Sequence, residues 1–254
     1  MKTNYIKCGD CVELMKSLPD NSIDLTVTSP PYDGLRTYNG YSFDFNSVSE
    51  QLYRITQSGG VIVWVVGDST IKGSESGTSF KQALHFKDVG FNLHDTMIYR
   101  KINYMPSTCK RYCQEFEYMF VLSKGVPKTF NPIMLPCKYA GCEMWGQSAT
   151  YNTDGTLKEK GKTVIKDTKV KGNIFEYRVG NSKINHPAIF PEQLAEDQIL
   201  SWSNENDIVF DPFIGSGTTA KMAMLNNRKY IGFDISQEYC QIAQERLQKC
   251  LKDC

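Results

Sequence analysis

The sequence predicts a doubly wound α/β domain on a mostly parallel sheet, and three observations predict it. Short segments rich in β-branched residues alternate with segments of helical spacing in both halves of the chain, as a sheet covered by helices requires. Ile23 to Thr28 (IDLTVT) is apolar or β-branched almost throughout, so both its faces are expected to be buried. Finally, Ile208-Val209-Phe210 runs directly into Asp211-Pro212-Phe213-Ile214-Gly215-Ser216-Gly217-Thr218-Thr219, a strand followed by a glycine-rich turn and the opening of a helix.

Taken in order, Tyr5 to Cys8 reads as a short strand. Cys11 to Ser17 gives a helical turn or two, stopped by Pro19-Asp20-Asn21. After the strand Ile23 to Thr28, Val48 to Thr56 has helical spacing (Val48, Leu52, Ile55) and is expected to stop at Gly59-Gly60. Val61 to Val66 (VIVWVV) is the strongest strand in the chain. Ser79 to Val89 reads as a helix ending at Gly90, and Asp95 to Arg100 and Glu117 to Leu122 as two strands close enough to pair. The rhythm breaks over Lys124 to Lys183, which lacks clean periodicity. It resumes with a helix over Glu192 to Trp202, a strand over Asp207 to Phe210, a helix over Thr218 to Leu225, a strand over Tyr230 to Phe233 and an amphipathic helix over Glu238 to Leu251.

A chain of 254 residues with 41% hydrophobic content is one large domain, here residues 1–254, with 124–183 as an inserted recognition segment. The formal net charge is only +1, but the charge is unevenly spread. The 124–183 stretch holds 11 Lys and Arg against 5 Asp and Glu, leaving 18 against 23 elsewhere, so the insert is a candidate phosphate-facing surface. No basic flank with an apolar run opens the chain, and Val61 to Val66 is too short to cross a bilayer. The expectation is a cytoplasmic protein with no membrane association. The nine cysteines are then reduced thiols. Cys8/Cys11, Cys109/Cys113 and Cys137/Cys142 share no common spacing and only three histidines accompany them, so no metal site is expected.

Two loops carry chemistry. In the glycine-rich loop, Gly215 and Gly217 remove side chains where a ligand approaches the backbone, and the helix that follows offers N–H groups and a positive dipole end. Asp234 ends the strand about twenty residues further on, where a carboxylate can accept both hydroxyls of a ribose. In the other loop, Thr28-Ser29-Pro30-Pro31-Tyr32 follows a buried strand. The Ser29 hydroxyl and the Pro30 carbonyl are two acceptors for the hydrogens of an exocyclic amine, the prolines stiffen them, and Tyr32 supplies a flat face for a planar base.

The run Asp211 to Thr219 resembles the D-P-F-x-G-S-G-T motif of S-adenosylmethionine-dependent amino-methyltransferases of DNA. With Thr28-Ser29-Pro30-Pro31-Tyr32 placed before it, the chain is similar over nearly its whole length to the beta group of those enzymes. This resemblance implies a Rossmann-like methyltransferase fold, circularly permuted, with catalytic loop first, target-recognition region next and cofactor loop last. It implies S-adenosylmethionine as methyl donor, double-stranded DNA as partner and a base flipped out of the duplex. A cognate restriction endonuclease and a second copy of the chain are the further partners it brings. Residue by residue, it implies catalytic roles for Ser29, Pro30, Pro31 and Tyr32. It implies cofactor contacts for Asp10, Phe190, Asp211, Phe213, Gly215, Gly217, Thr218 and Asp234. His186 to Glu192 resembles the segment beside the methionine end of the cofactor, and Tyr239, Ala243 and Arg246 fit the helix after the ribose-binding strand. Arg100, Lys101, Lys110 and Arg111 are candidates for phosphate contacts. Serine before Pro-Pro is typical of the cytosine N-4 members and aspartate of the adenine N-6 members, so Ser29 favours cytosine with adenine as the alternative; Asp33 follows Tyr32 and could act near the amine. The order of the motifs weighs against RNA or protein-glutamine methylation, and intact Ser29 to Tyr32 against a non-catalytic cofactor-binding module.

Overall fold

The computed structural model describes residues 1–31, 44–104, 110–145, 151–157, 162–179 and 191–253. Its contacts divide the chain into two compact units, one formed by Met1–Asn131 with Asn173–Cys254 and the other by Pro132–Gly172.

The first unit begins with strand β1 (Tyr5–Cys8) and a short helix α1 (Cys11–Met15), which starts where Asp10 accepts the Glu13 backbone N–H at 3.0 Å. Strand β2 (Ile23–Thr28) is buried at every position except Asp24, as an apolar segment flanked on both sides must be. Helix α2 (Phe45–Ile55) follows and buries Val48, Leu52 and Ile55, the i, i+4, i+7 face. Strand β3 (Thr56–Val66) then starts without a loop. The helix therefore ends a residue before the expected Thr56, and Gly59-Gly60 lies within the strand, not between helix and strand. The pairing of β2 with β3 is irregular there, jumping from Ile23–Thr56 to Leu25–Val61. Gly60 is needed at that bulge because a Cβ on it would lie 2.8 Å from the Thr56 methyl and 3.1 Å from the Asp24 carbonyl oxygen.

A hairpin of β4 (Thr70–Ile71) and β5 (Ser74–Glu75) leads to helix α3 (Thr78–Val89), then to strands β6 (Asn92–Lys101) and β7 (Phe116–Ser123), which pair as expected and run antiparallel. Among its described residues the second unit holds four short strands, β8 (Met134–Pro136), β9 (Glu143–Trp145), β10 (Lys162–Val164) and β11 (Thr168–Val170), paired antiparallel as β8 with β11 and β9 with β10. The chain returns to the first unit through β12 (Ile174–Tyr177), α4 (Glu192–Trp202), β13 (Ile208–Asp211), α5 (Thr218–Leu225), β14 (Lys229–Asp234) and α6 (Gln237–Asp253). The stretch 124–183 thus belongs to both units, since β12 pairs parallel with β6.

Among the described residues the main sheet has eight strands in the order β1-β14-β13-β2-β3-β7-β6-β12, parallel throughout except that β7 runs against both neighbours. This is a Rossmann-like α/β fold. Side chains alternate between its faces. Ile62, Trp64, Val66, Phe120, Leu122, Phe210, Ile231 and Phe233 point into the larger core with Met15, Leu52 and Phe86 from α1, α2 and α3. Ile6 joins Ile214, Ala220, Ala243 and Leu247 in a smaller core under α5 and α6. Because β1, β14, β13, β2 and β3 are parallel, the segments after their last residues all emerge at one edge of the sheet. That edge holds Gly9-Asp10, Ser29 to Pro31, Gly67-Asp68, the strand-ending Asp234 and Asp211, and the turn from Pro212 to Gly217. No helix among the described residues is long and apolar enough to cross a membrane.

Candidate active site

The sheet creates the site where its chain order reverses. Strand β2, early in the sequence, lies beside β13, late in the sequence, and helices leave from opposite faces at such a point, opening a crevice at the strand ends. The backbone ladder between the two strands reaches only Phe210–Thr26. Beyond it, side chains hold the strands together.

Asp211 is the centre of that connection. Thr28 Oγ1 donates to Asp211 Oδ1 at 2.7 Å, the Phe213 N–H donates to the same oxygen at 3.0 Å, and Thr219 Oγ1 donates to Oδ2 at 2.7 Å. Thr219 Oγ1 also lies 3.3 Å from the Val27 carbonyl oxygen. Burial outweighs these hydrogen bonds and pushes the Asp211 carboxyl up to about 6, with the charge of Asp234 adding to the rise. The Asp211 carboxylate is buried and engaged by three internal donors, so it builds the loop from beneath.

The rest of the glycine-rich turn is fixed from two sides. Asp234, at the end of β14, accepts the Gly215 N–H on Oδ2 at 2.9 Å and the Ser236 N–H on Oδ1 at 2.8 Å. From α6, Arg246 Nη1 donates to the Ser216 carbonyl oxygen and to Thr218 Oγ1, both at 3.0 Å, and its Nη2 pairs with Glu192 of α4. Lys221 of α5 reaches the same Glu192 oxygen at 2.6 Å, and the two cations hold the Glu192 carboxyl below its usual range against the opposing effect of burial. Gly217 has φ of 82°, and a Cβ there would sit 2.8 Å from the Cβ of Ala243. Its missing side chain makes room for α6. Glu192, Arg246, Thr28 and Thr219 thus shape the site, and sequence spacing gave no sign of their contacts.

The remaining expected residues fall as follows. Asp10 is exposed at the start of α1 and on the same sheet edge as Asp234; burial and the charges of both push the Cys11 thiol up to about 12. Phe213 packs against the large core, its ring centroid 6.3 Å from that of Trp64. Ser29 and Pro31 are half-buried and Pro30 is buried at the exit of β2. Tyr32, Asp33 and Phe190 lie outside the described residues, as does the segment 186–190. Of the four candidate phosphate-binding cations, three already have acidic partners. Arg100 pairs with Glu115 at 3.3 Å and Glu176 at 2.8 Å, and Lys101 pairs with Glu117 at 2.5 Å. Arg111 binds Thr70 Oγ1 and the Gly73 carbonyl in the β4–β5 hairpin, with Glu75 at 3.6 Å. Lys110 is exposed beside it.

These residues suit a nucleoside-bearing cofactor. Asp234 ends β14 with a carboxylate that takes a backbone N–H on each oxygen, Gly215 on one and Ser236 on the other, and a carboxylate is the acceptor that vicinal hydroxyls require. The chain matches a family model described as DNA methylase over residues 23–245. It is similar to the orphan methyltransferase M.BamHII of Bacillus amyloliquefaciens, with 55% identity over 252 residues covering 92% of each protein. Among solved structures it is similar to PvuII DNA methyltransferase (cytosine-N4-specific), with TM-score 0.72 and 22% identity over 100% of this chain and 91% of the other. A complex of M1.HpyAVI with SAM is similar at TM-score 0.63 and 24% identity, covering 96% of this chain and 99% of that one.

Proposed function

The chain belongs to the N6/N4 DNA methylase family, and from that membership we propose that it methylates the N-4 amine of cytosine within a specific double-stranded DNA site. The methyl donor of the family is S-adenosylmethionine, which supplies an electrophilic methyl group. The observation that carries the base assignment is Ser29, a hydroxyl rather than a carboxylate, at the exit of β2.

An exocyclic amine delocalises its lone pair into the base and is a poor nucleophile. Acceptors on both of its hydrogens pull nitrogen towards a tetrahedral shape and return the lone pair to it. Ser29 Oγ and the Pro30 carbonyl oxygen are those acceptors, and the prolines keep them oriented without reorganisation at the moment of reaction. No covalent link between protein and base is needed, so the chemistry reduces to position. Tyr32 stacks on the base once it leaves the duplex. Asp234 accepts the ribose hydroxyls, Asp10 faces the adenine, and the loop from Phe213 to Thr218 borders the methionine portion. The basic stretch from 124 to 183 reads the target sequence. The resemblance to an orphan methyltransferase favours action without a paired endonuclease, in the cytoplasm where the DNA lies.

Mass spectrometry of nucleosides from unmethylated DNA, incubated with the protein and S-adenosylmethionine, tests this. The expected product is 4-methylcytosine. A 6-methyladenine product overturns the base assignment and leaves the family chemistry in place.

A further inference from the structure

We propose that Thr28 is a positioning residue, and that its hydrogen bond to Asp211 sets the distance between the amine-holding loop and the cofactor loop. The proposal rests on the methyl-transfer reading above and deepens it.

The argument is geometric. The main-chain ladder between β2 and β13 stops at Phe210–Thr26, two residues before β2 ends. Past that point no backbone pairing joins the two strands, and β13 ends one residue later at Asp211. Thr28 to Asp211 at 2.7 Å is the tie nearest the mouth, with Thr219 to Val27 behind it. Thr28 is the chain neighbour of Ser29, and Pro30 and Pro31 follow, so there is little slack to absorb a shift of Thr28 before it reaches the two acceptors. On the other side, Asp211 Oδ1 also takes the Phe213 N–H, so the same oxygen fixes the start of the cofactor loop. One carboxylate oxygen is therefore the common reference point of both half-sites. Thr28 is 1% exposed and its neighbours Val27 and Thr26 are 0% exposed, so its hydroxyl meets Asp211 and not solvent.

A hydroxyl that only stabilised the seam would change stability. One that sets a distance changes transfer while cofactor binding survives. Thr28→Val keeps the shape and the strand preference and removes the hydrogen bond; Thr28→Ser keeps the hydrogen bond. With radiolabelled S-adenosylmethionine and unmethylated DNA, Thr28→Val is expected to lower kcat about a hundredfold, the cost of a misplacement near 1 Å. Its Kd for S-adenosylmethionine, measured by calorimetry without DNA, should stay within about twofold because Asp234 and the Arg246 clamp are untouched. Thr28→Ser should restore most of the rate. Wild-type turnover in Thr28→Val overturns the proposal. So does a loss of rate matched by an equal loss of cofactor affinity, since that is damage to the seam as a whole. Absence of transfer by the unaltered protein to any DNA overturns the functional reading, and this proposal with it.

Discussion

Arg246 holds Thr218 by a 3.0 Å hydrogen bond from Nη1 to Oγ1, and so the last helix of the chain grips the turn that opens α5. The same nitrogen reaches the Ser216 carbonyl oxygen, and the other terminal nitrogen is paired with Glu192. A planar guanidinium with donors in fixed directions can serve all three acceptors; an ammonium cannot. Arg246→Lys is therefore expected to behave nearly as Arg246→Ala. Each should lower stability by about 2 kcal/mol, the usual worth of hydrogen bonds to a charged group, and weaken cofactor binding. Chemical denaturation alongside cofactor titration checks both effects, and full function in the lysine variant would contradict the fork geometry.

Asp234 has two duties, and substitution should separate them. Asp234→Asn keeps an acceptor for only one of the two N–H groups of Gly215 and Ser236, and leaves an amide facing the other. Asp234→Ala removes both acceptors. Cofactor affinity should fall by tenfold or more in each, the scale of one to two lost charge-assisted hydrogen bonds. Calorimetric titration with S-adenosylmethionine reads this directly, and an unchanged Kd in the alanine variant would remove Asp234 from the ribose.

The raised carboxyl of Asp211 makes a signed prediction for stability. Its folded value near 6 lies above the ordinary 3.8, so the folded protein binds this proton more tightly than the unfolded chain does. The contribution is fully favourable below about pH 4 and is lost as pH rises through 6, amounting to about 3 kcal/mol by neutral pH. Protonation need not break the link to Thr28. Among the described residues Oδ2 takes a hydrogen bond from Thr219 Oγ1 alone, and that hydroxyl can turn towards the Val27 carbonyl oxygen and accept the new proton. Asp211→Asn can adopt the same arrangement with its amide nitrogen at Oδ2. Subtracting its unfolding free energies from those of the unaltered protein between pH 4 and 8 should give a difference that falls against the aspartate from about pH 4 and levels off above about pH 6. A flat difference would show that Asp211 titrates normally.

Salt dependence should sort the cations around the reaction edge. Arg100 is held between Glu115 and Glu176, so Arg100→Ala is expected to leave the salt dependence of DNA binding unchanged. Lys110 is exposed beside the anchored Arg111, and Lys110→Ala should reduce the log–log salt slope by about one, the mark of one lost phosphate contact. Fluorescence anisotropy at several salt concentrations distinguishes the two, and equal slopes would leave Lys110 off the DNA.

What the sequence revealed of this fold depended on the range of the signal. Strand β2 was legible because burial on two faces writes itself into consecutive residues, and α4 and α5 because their boundaries carry Pro191 and Gly217. The extension of β3 back to Thr56 was not, because Gly59-Gly60 resembles a stop until the close approach of the Asp24 carbonyl is known. Strand β12 was hidden in a lysine-rich stretch, where four residues with only Phe175 and Tyr177 buried give too little alternation to recognise. At the site, the glycine-rich motif drew attention to Asp211 but could not indicate which way its carboxylate faced. That direction follows from Thr28, 183 residues away, and no local pattern encodes such a contact. Arg246 was singled out by the resemblance, but its partners Glu192 and Thr218 lie 54 and 28 residues away and no local pattern pointed to them.

The pairing of β2 with β13 also fixes when this protein can become itself during translation. The ribosome releases β2 and β3 long before β13, the neighbour that covers the open edge of β2, and β1 waits longer still for β14. Contacts so distant in sequence slow folding, and an apolar strand with an unsatisfied edge invites aggregation in the meantime. The nascent chain therefore passes most of its synthesis with its central strand exposed, a hazard that makes yield sensitive to elongation rate, temperature and chaperone supply.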